Sequence, residues 1–118
     1  MTERVARSTQ DGARWLATRP RAVAILLLLA TGRRHGYGVM QALREDPVDP
    51  VVLGPGTLYR TVRELEQRGL LRSEGRPDGP SGGPPRRYYD LTPHGRRVLG
   101  RHVARLAALV GRAREAGV

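Results

Sequence analysis

Apolar residues change their spacing several times along the chain, and each change marks an element. Residues 22–30 are apolar at every position. The run predicts a helix over 22–31 that is apolar nearly all round and covered by other elements, with Gly32 placed to stop it. Val39, Met40 and Leu43 then give 37–44 one apolar side at helical spacing, and Pro47 and Pro50 break the chain in a loop. Behind Gly54-Pro55-Gly56-Thr57, Leu58, Val62 and Leu65 recur at i, i+4 and i+7. Proline suits a first helical position, and Gly69 ends this third helix. Its opposite face carries Arg60, Arg63, Glu64 and Gln67, with Thr57 and Tyr59 flanking the first turn. That face is hydrogen-bonding rather than merely charged.

From residue 70 the period drops to two. Stretches 70–74 and 87–91 read as strands, with Tyr89 and Leu91 on one face and Tyr88 and Asp90 on the other. The Gly- and Pro-rich segment between them reads as a hairpin tip with arginines at its shoulders, Arg76, Arg86 and Arg87 among them. Thr92-Pro93 caps a last helix running to about residue 116. Along it Leu99, Val103, Leu106, Val110 and Ala113 alternate steps of four and three, a heptad-type seam with Arg97, Arg101, Arg105 and Arg112 off it. At about 1.5 Å per residue this helix is roughly 35 Å long, more than one small domain needs for its own core. The seam could pack onto its own domain, but its length, with the arginines kept off it, favours pairing with a second copy. Residues 1–19 are polar and Arg-rich, an arm or short helix closed by Pro20. Its Trp15 has two readings: a ring buried against the last helix of either chain, or a stacking surface for an effector at a dimer interface.

The order of elements is that of a winged helix-turn-helix. The expected fold is mainly α with a small β-hairpin (α+β): an N-terminal arm at 1–19, a winged helix-turn-helix at 20–92 and a C-terminal dimerisation helix at 93–118. In that architecture the third helix enters the major groove and the hairpin lies along the neighbouring backbone or minor groove. Gly56, Thr57, Tyr59, Arg60, Arg63 and Gln67 on the helix, with Arg76, Arg86 and Arg87 on the wing, are the candidate DNA contacts. The free N–H groups of the third helix's first turn add a place for a phosphate.

Composition sharpens this picture. The 118 residues carry 21 basic against 11 acidic side chains, a net charge of +10, and no lysine occurs, so every cation is an arginine. Such a surplus points to an anionic partner, nucleic acid first, and arginine's planar fork suits phosphates and guanine edges. The absence of cysteine excludes disulfide scaffolds and thiolate chemistry. His35, His94 and His102 lie too far apart for a metal motif, and His35 and Tyr37 read as packing the first helix against the second. The serines Ser8, Ser73 and Ser81 sit in no nucleophile motif, and no phosphate-binding loop is present. No enzyme and no cofactor is expected. The apolar run of nine residues is short of the roughly 20 that span a bilayer, so no membrane partner is expected and the cytoplasm is the default location.

Four stretches carry a specific likeness. His35-Gly36-Tyr37-Gly38, Gly54-Pro55-Gly56-Thr57-Leu58-Tyr59, Glu64-Leu65-Glu66-Gln67-Arg68-Gly69-Leu70-Leu71 and Gly83-Pro84-Pro85-Arg86-Arg87-Tyr88-Tyr89-Asp90-Leu91-Thr92-Pro93-His94-Gly95 resemble the PadR family of transcriptional regulators in order and spacing, over roughly residues 22–100. The resemblance implies a homodimeric repressor on an inverted-repeat operator in double-stranded DNA, often its own promoter. It further implies pairing through the C-terminal helix with help from an N-terminal segment, and release by a small aromatic or hydrophobic effector. Two positions depart from the family pattern. Gly54 stands where a capping serine is usual, a change worth a few tenths of a kcal/mol by general capping values. Arg60 stands where proline is frequent and adds a cation to the groove-facing side. A protein that binds nucleic-acid backbones without reading sequence is the alternative, and a winged-helix module docking another protein is a third. The mixed donor and acceptor set on the third helix favours base readout.

Overall fold

A computed structural model describes residues 2–76 and 86–118. Eight elements follow one another: α1 (Thr2–Ala17), α2 (Pro20–Leu29), β1 (Arg34–His35), α3 (Gly36–Arg44), α4 (Pro55–Gln67), β2 (Leu71–Arg76), β3 (Arg86–Leu91) and α5 (Pro93–Glu115). The expected helix–helix–helix–hairpin–helix order is present. The hairpin tip, 77–85, and the side chains of Arg76 and Arg86 lie outside the described residues. Residues 1–19, left open between arm and helix, form α1 from Thr2 to Ala17, with Thr18 and Arg19 leading into α2.

The sheet corrects one expectation. It has three strands rather than two, antiparallel in the order β1-β3-β2. Arg34 pairs with Tyr89 and His35 with Tyr88. Two polar residues give no alternating pattern to read; they pair because β3 has an open edge whose N–H and C=O groups need partners. The expected faces of β3 hold: Tyr89 and Leu91 are buried, and Tyr88 and Asp90 sit on the other side, half-buried.

One core joins every helix to the sheet. Leu16 of α1, Ile25, Leu26 and Leu29 of α2, Val39 of α3, Leu58 and Leu65 of α4 and Val98 of α5 are almost wholly enclosed, with Leu70 between α4 and β2. α2 is not apolar on all sides for its own chain's sake, however. Leu27 keeps 46% of its surface in water, so the expected covering of that helix is incomplete within one chain.

The start of α5 is fastened to the turn after α4. Gly69 turns the chain there with φ +71, a conformation open to glycine at little cost. The Thr92 hydroxyl donates to the Gly69 carbonyl (2.6 Å) and accepts from the Gly95 N–H (2.9 Å), while the Thr92 N–H donates to the Leu70 carbonyl (3.2 Å). Gly95 is buried, and a β-carbon on it would fall inside the Leu70 carbonyl. α1 crosses α5 closely as well: a β-carbon on Gly12 would meet the methyls of Val98 at 2.9 Å.

Past its first turns α5 leaves the body of the protein. Val98, Leu99 and His102 are buried, whereas Val103 (40%), Leu106 (40%), Leu109 (41%) and Val110 (51%) stand in water. The radius of gyration, 15.9 Å, exceeds the roughly 13.5 Å of a compact domain of this length, as a projecting helix requires. The heptad seam therefore divides. Leu99, expected at the dimer interface, packs into its own core; Val103, Leu106 and Val110 are exposed and Ala113 is half-buried.

His102 is 5% exposed and its Nδ1 has no hydrogen-bond partner. Burial, and then the neighbouring Arg105, hold its pKa below the usual histidine range. The folded state therefore prefers neutral imidazole, while the unfolded chain takes up a proton near pH 6.5. This contribution is intact above that pH and is lost as the pH falls below it. His102→Leu will flatten the acid limb: whichever protein is the more stable at pH 7.5, the stability of wild type relative to the variant should fall as the pH drops to about 5. A constant offset between them would contradict the assignment.

Candidate nucleic-acid interface

α4 forms where the sequence places it because Pro55 pre-sets its first turn and Leu58, Val62 and Leu65 are drawn into the core. Gly54, at the N-cap, supplies no side-chain cap, so the first N–H groups of α4 lack a side-chain partner. The fixed inner face leaves Gly56, Tyr59, Arg60, Arg63 and Gln67 exposed, with Thr57 half-buried.

Beside this face runs an open groove of about 880 Å³ between α4, β3 and the start of α3. Tyr59, Arg63, Gln67 and Arg87 border it, four of the residues expected at the DNA surface. Gly56, Thr57 and Arg60 lie on α4 outside the groove's lining. Six residues not expected as site residues complete its lining, among them His35, Tyr37 and Glu66. The pairing of β1 with β3 brings the first two there. The only hint in the sequence is the aromatic Tyr37 between two glycines.

Local hydrogen bonds hold these groups. His35 caps α3 by accepting the Gly38 N–H on Nδ1 (3.0 Å), and its ring meets Tyr88 edge-on at 6.0 Å. His35 and Tyr37 are expected to pack the first helix against the second. Tyr37 is instead 67% exposed, because the cap turns it toward the groove. Tyr59 lies against Gly36, where an added β-carbon would meet its hydroxyl at 3.1 Å, so half of the ring packs and half, 49%, faces water. Tyr89 closes the floor; burial, then the nearby Tyr59 and Glu66, push its pKa up, with Arg87 opposing. It stays a neutral phenol.

The arginines of this surface keep their charge. Pairing of Arg60 and Arg63 with Glu64 or Glu66 at i+3 or i+4 would leave them as solvated helix charges. Among the described residues the ion pairs are Arg33–Glu74 (3.6 Å) and Arg72–Asp90 (3.5 Å), and neither Arg60, Arg63 nor Arg87 takes part. Glu66 accepts a hydrogen bond from the Ser73 hydroxyl instead (2.9 Å).

Trp15 sits elsewhere. Its ring packs half-buried on the core, with the guanidinium of Arg68 at 4.1 Å and that of Arg19 at 5.1 Å from its centroid. Both arginines already occupy its surroundings, which leaves less ring for an effector than the sequence suggested. Among the described residues no three histidines or acids gather as a metal site, and no helix is long and apolar enough to cross a membrane.

A helical domain with a small antiparallel wing beside an exposed, arginine-bearing third helix defines a winged helix-turn-helix, a DNA-binding class of fold. The pattern of the transcriptional regulator PadR-like family matches residues 25–101, and the chain belongs to that family of regulators, which are not enzymes. A PadR-like transcription factor from Bacteroides fragilis superposes with a TM-score of 0.73 at 27% identity, over 87% of this chain and 95% of that one. A PadR family regulator from Eggerthella lenta does so with a TM-score of 0.65 at 28% identity, over 87% and 88%. Bacillus subtilis PadR, solved in complex with operator DNA, shares the fold at 22% identity, with a TM-score of 0.63 over 72% and 48%. The chain is also 34% identical over 106 residues to an uncharacterised 37.1 kDa protein in transposon Tn4556 of Streptomyces fradiae, covering 87% of this chain and 28% of that protein.

Proposed function

We propose that this protein is a sequence-specific repressor that binds an inverted-repeat operator in double-stranded DNA as a homodimer, in the cytoplasm, and is released by a small hydrophobic or aromatic effector. One observation carries the DNA-binding part: Arg63 and Gln67 of α4 and Arg87 of the wing border a single groove, with both arginines outside any ion pair of the described residues. Arginine can bond guanine O6 and N7 together, and glutamine can bond adenine. Arg60 and the uncapped first turn of α4 are suited to phosphates. Arg76 and Arg86 would extend the basic surface along the wing.

Pairing is supported by the exposed ridge of Val103, Leu106 and Val110 on α5, continued by Leu109. An apolar stripe on a projecting helix is shielded from water when a second copy lies against it. Between α2, α5 and the loop after α3 lies a groove of about 630 Å³, lined by Leu27, Leu28, Leu106 and His102 among others. Its volume falls within the roughly 300–1,000 Å³ of small-molecule sites. An effector seated there would alter how two copies pack, and with that the separation of the two α4 helices.

Arg63→Ala tests the reading on a duplex that the protein itself selects from a randomised pool. If Arg63 reads a base, affinity for that duplex falls by about 1–3 kcal/mol, near 5- to 150-fold, and discrimination relaxes at one position of each half-site. An equal loss on all sequences, with the salt slope lowered by about one, makes it a phosphate contact. Unchanged binding would overturn the role of this face.

A further inference from the structure

The groove is bordered by an acid that does not neutralise the arginines beside it. Glu66 faces the same space as Arg63 and Arg87, yet makes no ion pair with either among the described residues. Its Oε2 accepts the Ser73 hydroxyl proton at 2.9 Å, and the Ser73 oxygen accepts an N–H from Arg87 Nη1 at 3.2 Å. The strand register makes this possible. Ser73 stands opposite Tyr89 and Gly75 opposite Arg87, so Ser73 and Arg87 are diagonal neighbours on one face of the sheet, within reach of a long side chain.

Resting on the DNA-binding reading above, we infer that Glu66 and Ser73 are positioning residues, a relay that aims Arg87 from the wing into the groove beside α4 without cancelling its charge. A direct carboxylate–guanidinium pair would be bidentate and charge-assisted, and DNA would have to break it. The hydroxyl between them changes the arithmetic. Ser73 has one proton, which it gives to Glu66; its lone pairs then hold one N–H of Arg87. A guanidinium has five N–H donors, so those not held by Ser73 stay free for a phosphate or a base edge. The relay also spans two elements, α4 and the β2–β3 ladder, and so sets where the wing arginine stands relative to the recognition helix. Pre-ordering of a long side chain lowers the entropy lost on binding.

A double-mutant cycle on the self-selected duplex tests this, together with the nitrogen resonances of the Arg87 guanidinium in the free protein. Ser73→Ala should weaken binding about three- to tenfold, the range of an ordinary hydrogen bond's net contribution, since the one lost only orders an exposed side chain. The same substitution in an Arg87→Ala background should have no further effect. Arg87→Ala alone should lower the salt slope by about one. In the free protein, rotation of the Arg87 guanidinium should be slow and should speed up in Ser73→Ala and in Glu66→Gln. Equal losses from Ser73→Ala with and without Arg87 would overturn the relay, since the serine would then act by another route. So would a guanidinium that turns as freely in wild type as in Ser73→Ala. Wild-type protein that selects no duplex would instead overturn the DNA-binding reading, an outcome the free-protein resonances keep separate.

Discussion

Replacing Gly95 with alanine will cost about 3 kcal/mol or more of stability, at the upper end of overpacking penalties. The new methyl would occupy the space of the Leu70 carbonyl, and neither partner can give way cheaply. Leu70 is locked between the end of α4 and β2, its carbonyl accepts from Thr92, and the Thr92 hydroxyl holds Gly69 and Gly95 at once. Moving α5 outward to make room would break these bonds together. Against a total of about 5–15 kcal/mol for a small domain, the loss should appear as a melting temperature lower by roughly 12 °C or more. Gly100, five residues further along the same helix and on another face, has nothing within 4 Å of its added β-carbon. Gly100→Ala should therefore be neutral or gain up to about 1 kcal/mol. Comparable melting temperatures for the two variants would show that the close approach at Gly95 does not anchor α5.

The double substitution Leu106→Glu, Val110→Glu should abolish pairing. Both side chains lie 40–51% exposed in the single chain, so charges there spare its own core yet would face their counterparts across a twofold interface. Sedimentation should move from about 26 kDa, twice the 13.0 kDa chain, to the mass of one chain. DNA binding should fall by about 100-fold or more, because linking two half-site contacts is worth a factor of roughly 10²–10⁴. Circular dichroism of the variant should keep its helical signal. Persistence of the dimer would place the interface elsewhere.

Helices were legible wherever one face is apolar and the ends carry glycine or proline, so α2 through α5 follow from spacing to within a few residues. α1 was less so. Its inward residues, Ala13 and Leu16, are few, and its charged stretch holds its helical form by crossing α5 at Gly12. The third strand was invisible because Arg34 and His35 form it only when β3 offers an edge. Gly95 could be seen in the sequence, but the carbonyl that forbids a side chain there belongs to a residue 25 positions earlier. The exposed face of α4 was readable from its period, since what Leu58, Val62 and Leu65 bury determines what Arg60, Arg63 and Gln67 expose. The groove was not, because it needs three elements brought together. Leu99 shows the limit of a heptad reading: the repeat continues into the helix's own domain, and periodicity alone cannot separate the two kinds of burial.

Selection of duplexes from a randomised pool at physiological salt, followed by sequencing, decides whether paired α4 helices read sequence. An inverted repeat whose half-site centres lie about 34–36 Å apart, or a multiple of that spacing, should be enriched and bound at least roughly 10³-fold more tightly than unselected DNA. A pool that emerges with no common sequence, and affinities that track salt alone, would contradict that reading.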